Sequence, residues 1–229
     1  MAAIRSWRHV FKLDPDRPIS DHALEQICES GTDALIVGGS TGVTFDNTVE
    51  LLARIRAYSV FCALEVSNQE AIVPGFDLYL IPTVLNTQDG EWIVGRHVEA
   101  LKRYGAIMPW EHIAMEGYVI LNKFSAAARL CNARTELAVR DLEAYARFAD
   151  KLLHMPIFYV ENSGAFADME PVKRVKSLLT GARLFYGGGI DNLAKAKQAA
   201  EAAHTIIVGN AIYEHLPGAL QTVKVLEKS

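Results

Sequence analysis

Short apolar runs alternate with amphipathic stretches along the whole chain, and this alternation predicts repeated strand-then-helix units. His9–Leu13 reads as strand one, ending at Asp14-Pro15-Asp16, and a helix follows with Ser20 as its N-cap and Gly31 just past its end. Ala34–Val37 is strand two, a continuous apolar run of the kind buried on both faces. It ends in Gly38-Gly39-Ser40-Thr41-Gly42 and leads into helix two over 46–57. Strand three covers 60–66 and strand four 78–81. Only about a dozen residues separate them, interrupted by Pro74-Gly75, which leaves little room for a crossover helix. Helix four is expected at 92–104, strand five at 118–121, helix five at 139–153 and strand six at 157–160. Helix six then covers 169–179, strand seven 184–186, helix seven 192–203, strand eight Thr205–Val208 and helix eight 211–226.

Eight such units imply a parallel sheet closed into a modified (β/α)₈ barrel, with a short or missing helix after strand three. An open doubly wound sheet is the alternative. It usually carries its glycine fingerprint on the first βα turn, where this chain has Lys-Leu-Asp-Pro-Asp. At 229 residues, half of them hydrophobic, the chain is read as one barrel domain over 1–229. The net charge of −4 argues against general nucleic-acid binding. Cys28, Cys62 and Cys131 lack metal-type spacing and read as reduced core residues of a cytoplasmic protein. The N-terminus lacks the apolar core of a signal peptide, and no run reaches the ~18 apolar residues of a membrane span. Peripheral membrane contact, or a lipid held in a groove, stays open.

Barrel active sites lie at the C-terminal ends of the strands, and phosphate sites often lie in the loops after strands seven and eight. Here those loops are Gly187-Gly188-Gly189 and Gly209-Asn210, each entering a helix. Glycine lets the backbone come close to a ligand, and the N–H groups of a new helix bind anions, so a phosphate cradle is expected there. The alternative is a pair of tight turns with ordinary caps. Asp14 with Ser40 or Thr41 offers hard oxygen ligands suited to Mg²⁺, although aspartate before Pro15 also suits a turn. Asp16 reads as a solvated turn residue. Lys12 could contact phosphate, pair with Glu65 or Glu161, or form a Schiff base. The surrounding carboxylates argue against the last, since they raise a lysine pKa. Glu161 is the candidate base for a substrate hydroxyl, against a reading as a salt-bridged strand end. Of the seven histidines, His97, His154, His204 and His215 read as surface residues.

Phe11-Lys-Leu-Asp-Pro15, Gly38-Gly-Ser40, Tyr159 to Gly164, Tyr186-Gly-Gly-Gly-Ile190 and Val208-Gly-Asn210 together resemble the geranylgeranylglyceryl phosphate synthase family, most of all its bacterial heptaprenylglyceryl branch. Glu29-Ser-Gly-Thr-Asp33 and Glu70-Ala-Ile-Val-Pro-Gly-Phe-Asp77 extend the likeness over essentially the whole chain. The resemblance implies a homodimeric prenyltransferase that uses Mg²⁺ to move a polyprenyl group from its diphosphate to sn-glycerol 1-phosphate. It implies that Lys12 contacts the glycerol phosphate and that Asp14 and Ser40 hold the metal. Tyr159, Val160, Glu161, Asn162, Ser163, Gly164, Gly189, Gly209 and Asn210 would then bind glycerol 1-phosphate, with Glu161 at its hydroxyls. Asn162, where the family often has an aromatic residue, and Lys123, where it often has proline, depart from the pattern. The prenyl tail is expected to run past the shortened third unit toward helix four, where Ala100 leaves space.

Overall fold

Eight parallel strands close into a barrel in chain order, the eighth hydrogen-bonded to the first. The structure, a computed structural model, describes residues 2–227. The strands are β1 (His9–Leu13), β2 (Ala34–Val37), β3 (Cys62–Glu65), β4 (Leu78–Val84), β5 (Ile113–Ile120), β6 (Ile157–Glu161), β7 (Arg183–Gly187) and β8 (Thr205–Val208). The helices are α1 (Ala2–Ser6), ahead of β1, then α2 (Asp21–Cys28), α3 (Phe45–Ile55), α4 (Gly95–Tyr104) and α5 (Ala126–Leu130). After them come α6 (Val139–Arg147), α7 (Met169–Leu178), α8 (Leu193–Ala202), α9 (Ala211–Glu214) and α10 (Leu216–Gln221). The modified (β/α)₈ barrel expected from the sequence is the architecture found. Its third unit carries only a 3₁₀ turn, Gln69–Ala71, between β3 and β4.

Local chemistry sets the helix starts. Ser20 accepts the Ala23 N–H at the head of α2, and Thr44 and Asn47 form a reciprocal capping box at the head of α3. Asn192 accepts the Lys195 N–H at the head of α8. Packing then divides into two layers. Val10, Ile36, Leu80, Tyr118, Tyr159, Phe185 and Ile207 belong to the cluster that fills the barrel. Phe11, Leu35, Val37, Phe158, Val160 and Tyr186, their strand neighbours of opposite parity, face the helical shell. Apolar residues therefore dominate both faces of the sheet, which is why a strand such as β2 reads as an unbroken apolar run.

The structure corrects several boundaries. β5 begins at Ile113, five residues ahead of the expected start, because Gly117 sits within the strand rather than before it. A β-carbon there would lie 2.9 Å from Ala149 Cβ and 3.1 Å from Leu85 and Met155, so close packing of the shell requires glycine. The expected helix 211–226 is broken at His215, and Pro217 starts a new turn in α10. Helix five ends as a π-helical turn, Phe148–Leu152. His97 and His204 are half-buried rather than surface residues. His97 Nε2 lies 3.1 Å from the Pro82 carbonyl, and His204 Nδ1 accepts the Leu184 N–H at 2.9 Å. Burial holds His204 neutral, its pKa pushed down to about 4. Cys28, Cys62 and Cys131 are buried free thiols, as expected. Among the described residues no helix is long and apolar enough to cross a membrane.

Candidate active site

The C-terminal mouth of the barrel opens into a cavity of about 620 Å³. Lys12, Asp14, Ser40, Tyr159, Glu161, Ser163, Gly164, Gly189, Gly209 and Asn210 all line it. Two of the expected residues do not. Val160 is fully buried with its side chain in the shell between strands and helices. Asn162 is turned into its own loop, where its side-chain amide donates to the Ala165 carbonyl at 2.9 Å.

The glycine turns fit tightly against their neighbours. Gly189 has φ +61°, and a β-carbon there would collide with Phe166 N and stand 2.5 Å from the Ala165 carbonyl carbon. A β-carbon at Gly188 would lie 2.5 Å from the Asn162 carbonyl oxygen. The β6–α7 and β7–α8 loops thus meet backbone to backbone, which a side chain at either glycine would prevent. Behind Gly189, the ten-residue α8 begins after Asn192. Gly209 is different: a β-carbon there would make only ordinary contact, with the Lys12 carbonyl oxygen at 3.6 Å and Lys12 Cβ at 3.9 Å.

Acids cluster below this mouth. Lys12 Nζ donates to Glu65 Oε1 at 2.5 Å, and Glu65, Glu116 and Glu161 all pull on the ammonium. Burial disfavours that charge, but the three carboxyls together outweigh it and hold the Lys12 pKa above its ordinary value. Glu161 Oε1 accepts the Ser163 N–H at 2.8 Å, while Oε2 is buried without a partner. Burial raises the Glu161 pKa, with the Ser163 hydrogen bonds opposing. Glu116 is completely buried, neither oxygen has a partner, and burial with the nearby Glu65 charge drives its pKa well up. The Tyr159 hydroxyl occupies the space that a side chain at Gly187 would need. Its ring lies 4.5 Å from that of Tyr118, centroid to centroid.

Asp14 stands on the rim after β1, between the loops that follow β2 and β8. Its Oδ1 accepts the Asp16 N–H at 3.0 Å, and its carboxylate fills the place of a Gly39 side chain, so the acid is seated directly on the loop that carries Ser40. Desolvation raises the Asp14 pKa. Among the described residues no group of three or more His, Cys, Asp or Glu side chains is gathered as a metal cage. One carboxylate and one hydroxyl suit a cation that takes most of its oxygens from substrate and water, which is how Mg²⁺ binds phosphate esters.

Two further polar residues at the end of β4 are structural. Asn86 spans β4 and β5, donating to the Ile120 and Arg134 carbonyls and accepting the Ile120 N–H. Thr83 is buried beside His97. The sequence reading missed Arg17, Asp191, Lys195 and Tyr213, all of which line the cavity, and Glu116 beneath it. Arg17 follows Asp14 by three residues on the same loop, and Asp191 and Lys195 have the i,i+4 spacing of a helix-start ion pair, signals that were present. Glu116 fell outside the expected strand five.

Residues 2–227 match the PcrB family. The chain belongs to the PcrB family. Full-length relatives include the heptaprenylglyceryl phosphate synthase of Bacillus cytotoxicus, 57% identical over 227 residues and 99% of both chains. The enzyme of that name from Geobacillus kaustophilus is 56% identical over 100% of this chain and 95% of its own. Among solved structures, the fold is like that of (S)-3-O-geranylgeranylglyceryl phosphate synthase from Thermoplasma acidophilum in complex with sn-glycerol-1-phosphate. That likeness has a TM-score of 0.82 at 23% identity and covers 98% of this chain and 96% of the other. Tryptophan synthase from M. tuberculosis shares the barrel more distantly, with a TM-score of 0.57 at 18% identity over 96% and 92% of the two chains.

Proposed function

We propose that this PcrB-family chain is a Mg²⁺-dependent prenyltransferase that joins a polyprenyl group, heptaprenyl by its relatives' names, to the 3-hydroxyl of sn-glycerol 1-phosphate. The observation that carries this reading is the placement of a buried, half-partnered carboxylate, Glu161, between two glycine turns and the Asp14–Ser40 rim in one cavity. The acceptor phosphate lies on the backbone N–H groups of Gly187–Gly189 and Gly209–Asn210, at the head of α8. That leaves its glycerol hydroxyls toward Tyr159 and Glu161. Ser163 fixes one Glu161 oxygen, and the partnerless Oε2 takes the proton of the attacking hydroxyl. The new ether bond forms as the bond between the allylic carbon and the diphosphate oxygen breaks, and the diphosphate leaves with that electron pair. Asp14 and Ser40 would hold Mg²⁺, which when bound offsets negative charge on the leaving oxygens, worth several kcal/mol.

Anchoring the acceptor by its phosphate converts an encounter into a held geometry, which can supply ~7 kcal/mol or more of the barrier. The prenyl tail runs past the helix-free third unit toward α4, where half-buried Ala100 leaves room. The enzyme works in the cytoplasm as a homodimer, with membrane contact no more than peripheral; sedimentation of the purified protein tests the dimer. The deciding experiment incubates the protein with sn-glycerol 1-phosphate, Mg²⁺ and a ladder of polyprenyl diphosphates, followed by mass spectrometry of the lipid fraction. A prenylglyceryl phosphate is expected, and no ether product from any donor would overturn the reading. A phosphosugar aldolase using Lys12 as a Schiff base is the competing reading. The 2.5 Å bond to Glu65 disfavours it, and borohydride with a ketose phosphate should leave Lys12 unmodified.

A further inference from the structure

The cavity contains three cations, and their partners divide them. Lys12 is bound to Glu65 at 2.5 Å and Lys195 to Asp191 at 2.7 Å. Arg17 has no carboxylate partner among the described residues. Its guanidinium carbon sits 3.9 Å from the centre of the Tyr213 ring, and Nη1 donates to Asn210 Oδ1 at 3.1 Å. Tyr213 is itself anchored to the loop that carries Asp14: its hydroxyl accepts the Asp14 N–H at 2.9 Å and lies 3.2 Å from the Asp14 carbonyl. The Arg17 N–H closes the same turn on the Asp14 carbonyl at 3.0 Å. A guanidinium is a planar fork of N–H donors that matches phosphoryl oxygens two at a time. Here the fork is held over an aromatic ring that is itself tied to the Asp14 loop, next to the proposed metal carboxylate, with most of its donors uncommitted.

We propose that Arg17 is the diphosphate clamp of this enzyme, gripping the leaving group while Asp14 and Ser40 face its metal. The inference rests on the prenyl-transfer reading above. The acceptor phosphate already has two glycine turns and the head of α8. Among the described residues lining the cavity, the more highly charged diphosphate is offered Asp14, Ser40 and a single cation without a carboxylate partner. On binding, Arg17 keeps its stack on Tyr213 and exchanges Asn210 for diphosphate oxygens.

The test measures inhibition by inorganic diphosphate and the KM for each substrate, with Mg²⁺ present, in wild type, Arg17→Gln and Arg17→Lys. Two charge-assisted hydrogen bonds lost should weaken inorganic diphosphate and raise the prenyl diphosphate KM by ~10–100-fold in Arg17→Gln. Arg17→Lys, which keeps the charge but not the fork, should fall between, and the glycerol 1-phosphate KM should stay within ~2-fold. Unchanged diphosphate inhibition in Arg17→Gln, or a rise confined to glycerol 1-phosphate, would overturn the assignment. Thermal unfolding of each variant separates a misfolded protein from a lost contact. Wild-type turnover tests the prenyl-transfer reading on its own, so the two can fail separately.

Discussion

Three glycine-to-alanine substitutions separate what the turns do for the fold from what they do for a ligand. At Gly189 the alanine must adopt φ +61°, and its methyl meets the backbone of Ala165 and Phe166, which cannot yield without parting two loops. The left-handed conformation costs ~1–2 kcal/mol and the overpacking a similar amount, so ~3 kcal/mol in all. For a chain of this size that lowers the Tm by ~6–12 °C. At Gly164, φ is +86° but the nearest atom to a β-carbon is the Asn122 amide nitrogen at 3.4 Å, an ordinary contact, so only the conformational part remains, ~1–2 kcal/mol. At Gly209 neither cost applies: φ is not in the left-handed region and the methyl makes only ordinary contact with Lys12, 3.6 Å away. Gly209→Ala should therefore melt with wild type while raising the glycerol 1-phosphate KM by ~10-fold or more, through displaced phosphate contacts. Differential scanning calorimetry and initial-rate kinetics on the three variants give both quantities. A Gly189→Ala protein that melts with wild type would refute the loop geometry, and a Gly209→Ala enzyme with unchanged KM would refute the phosphate cradle.

Other expectations are briefer. Glu161→Gln should cut turnover by ~10²–10⁴-fold and leave glycerol 1-phosphate binding by calorimetry within a few-fold; equal losses in both would make Glu161 a binding group only. Because burial raises the Glu161 pKa, wild-type kcat/KM should fall on acidification at a shoulder above the ordinary carboxylate range, and an acid limb at or below that range would contradict the assignment. Glu116 also has a raised folded pKa, so the native state keeps a proton that the unfolded chain loses, and stability declines as pH rises above the usual carboxylate range. Glu116→Gln has no such decline; its Tm advantage over wild type should grow as pH rises above the usual carboxylate range, and a constant difference would argue against a raised Glu116 pKa. Ala100→Trp should shorten the longest polyprenyl donor accepted, which mass spectrometry of the product reads directly. Unchanged chain length would reroute the tail.

The strand runs and caps were legible locally because they depend on neighbours in sequence. Ala34–Val37 is apolar throughout since both faces of a parallel strand are covered, and Ser20 satisfies an N–H group only three residues away. The helix-free third unit was readable from the short span between β3 and β4 and Pro74-Gly75. Lys12, Asp14, Ser40, Glu161 and the late glycine turns could be placed together because barrel strands deliver their C-terminal ends to one mouth.

Tertiary structure decided the rest. Gly117 broke the apparent run of strand five because its reason lies in Ala149, Leu85 and Met155, distant in sequence and packed against it. With it went Glu116, whose charge state depends on burial that no local pattern displays. Val160 and Asn162 sit inside a correctly placed motif, yet strand parity turns one into the shell and a loop hydrogen bond turns the other inward. Arg17 acquires its meaning only when the chain closes and brings Tyr213 and Asn210, from the far end, against the first loop. Sequence determined which strands form and which ends carry polar groups, since those follow from periodicity and caps. Which side chains are buried, paired or left free depends on contacts between residues far apart along the chain, and barrel closure alone creates those.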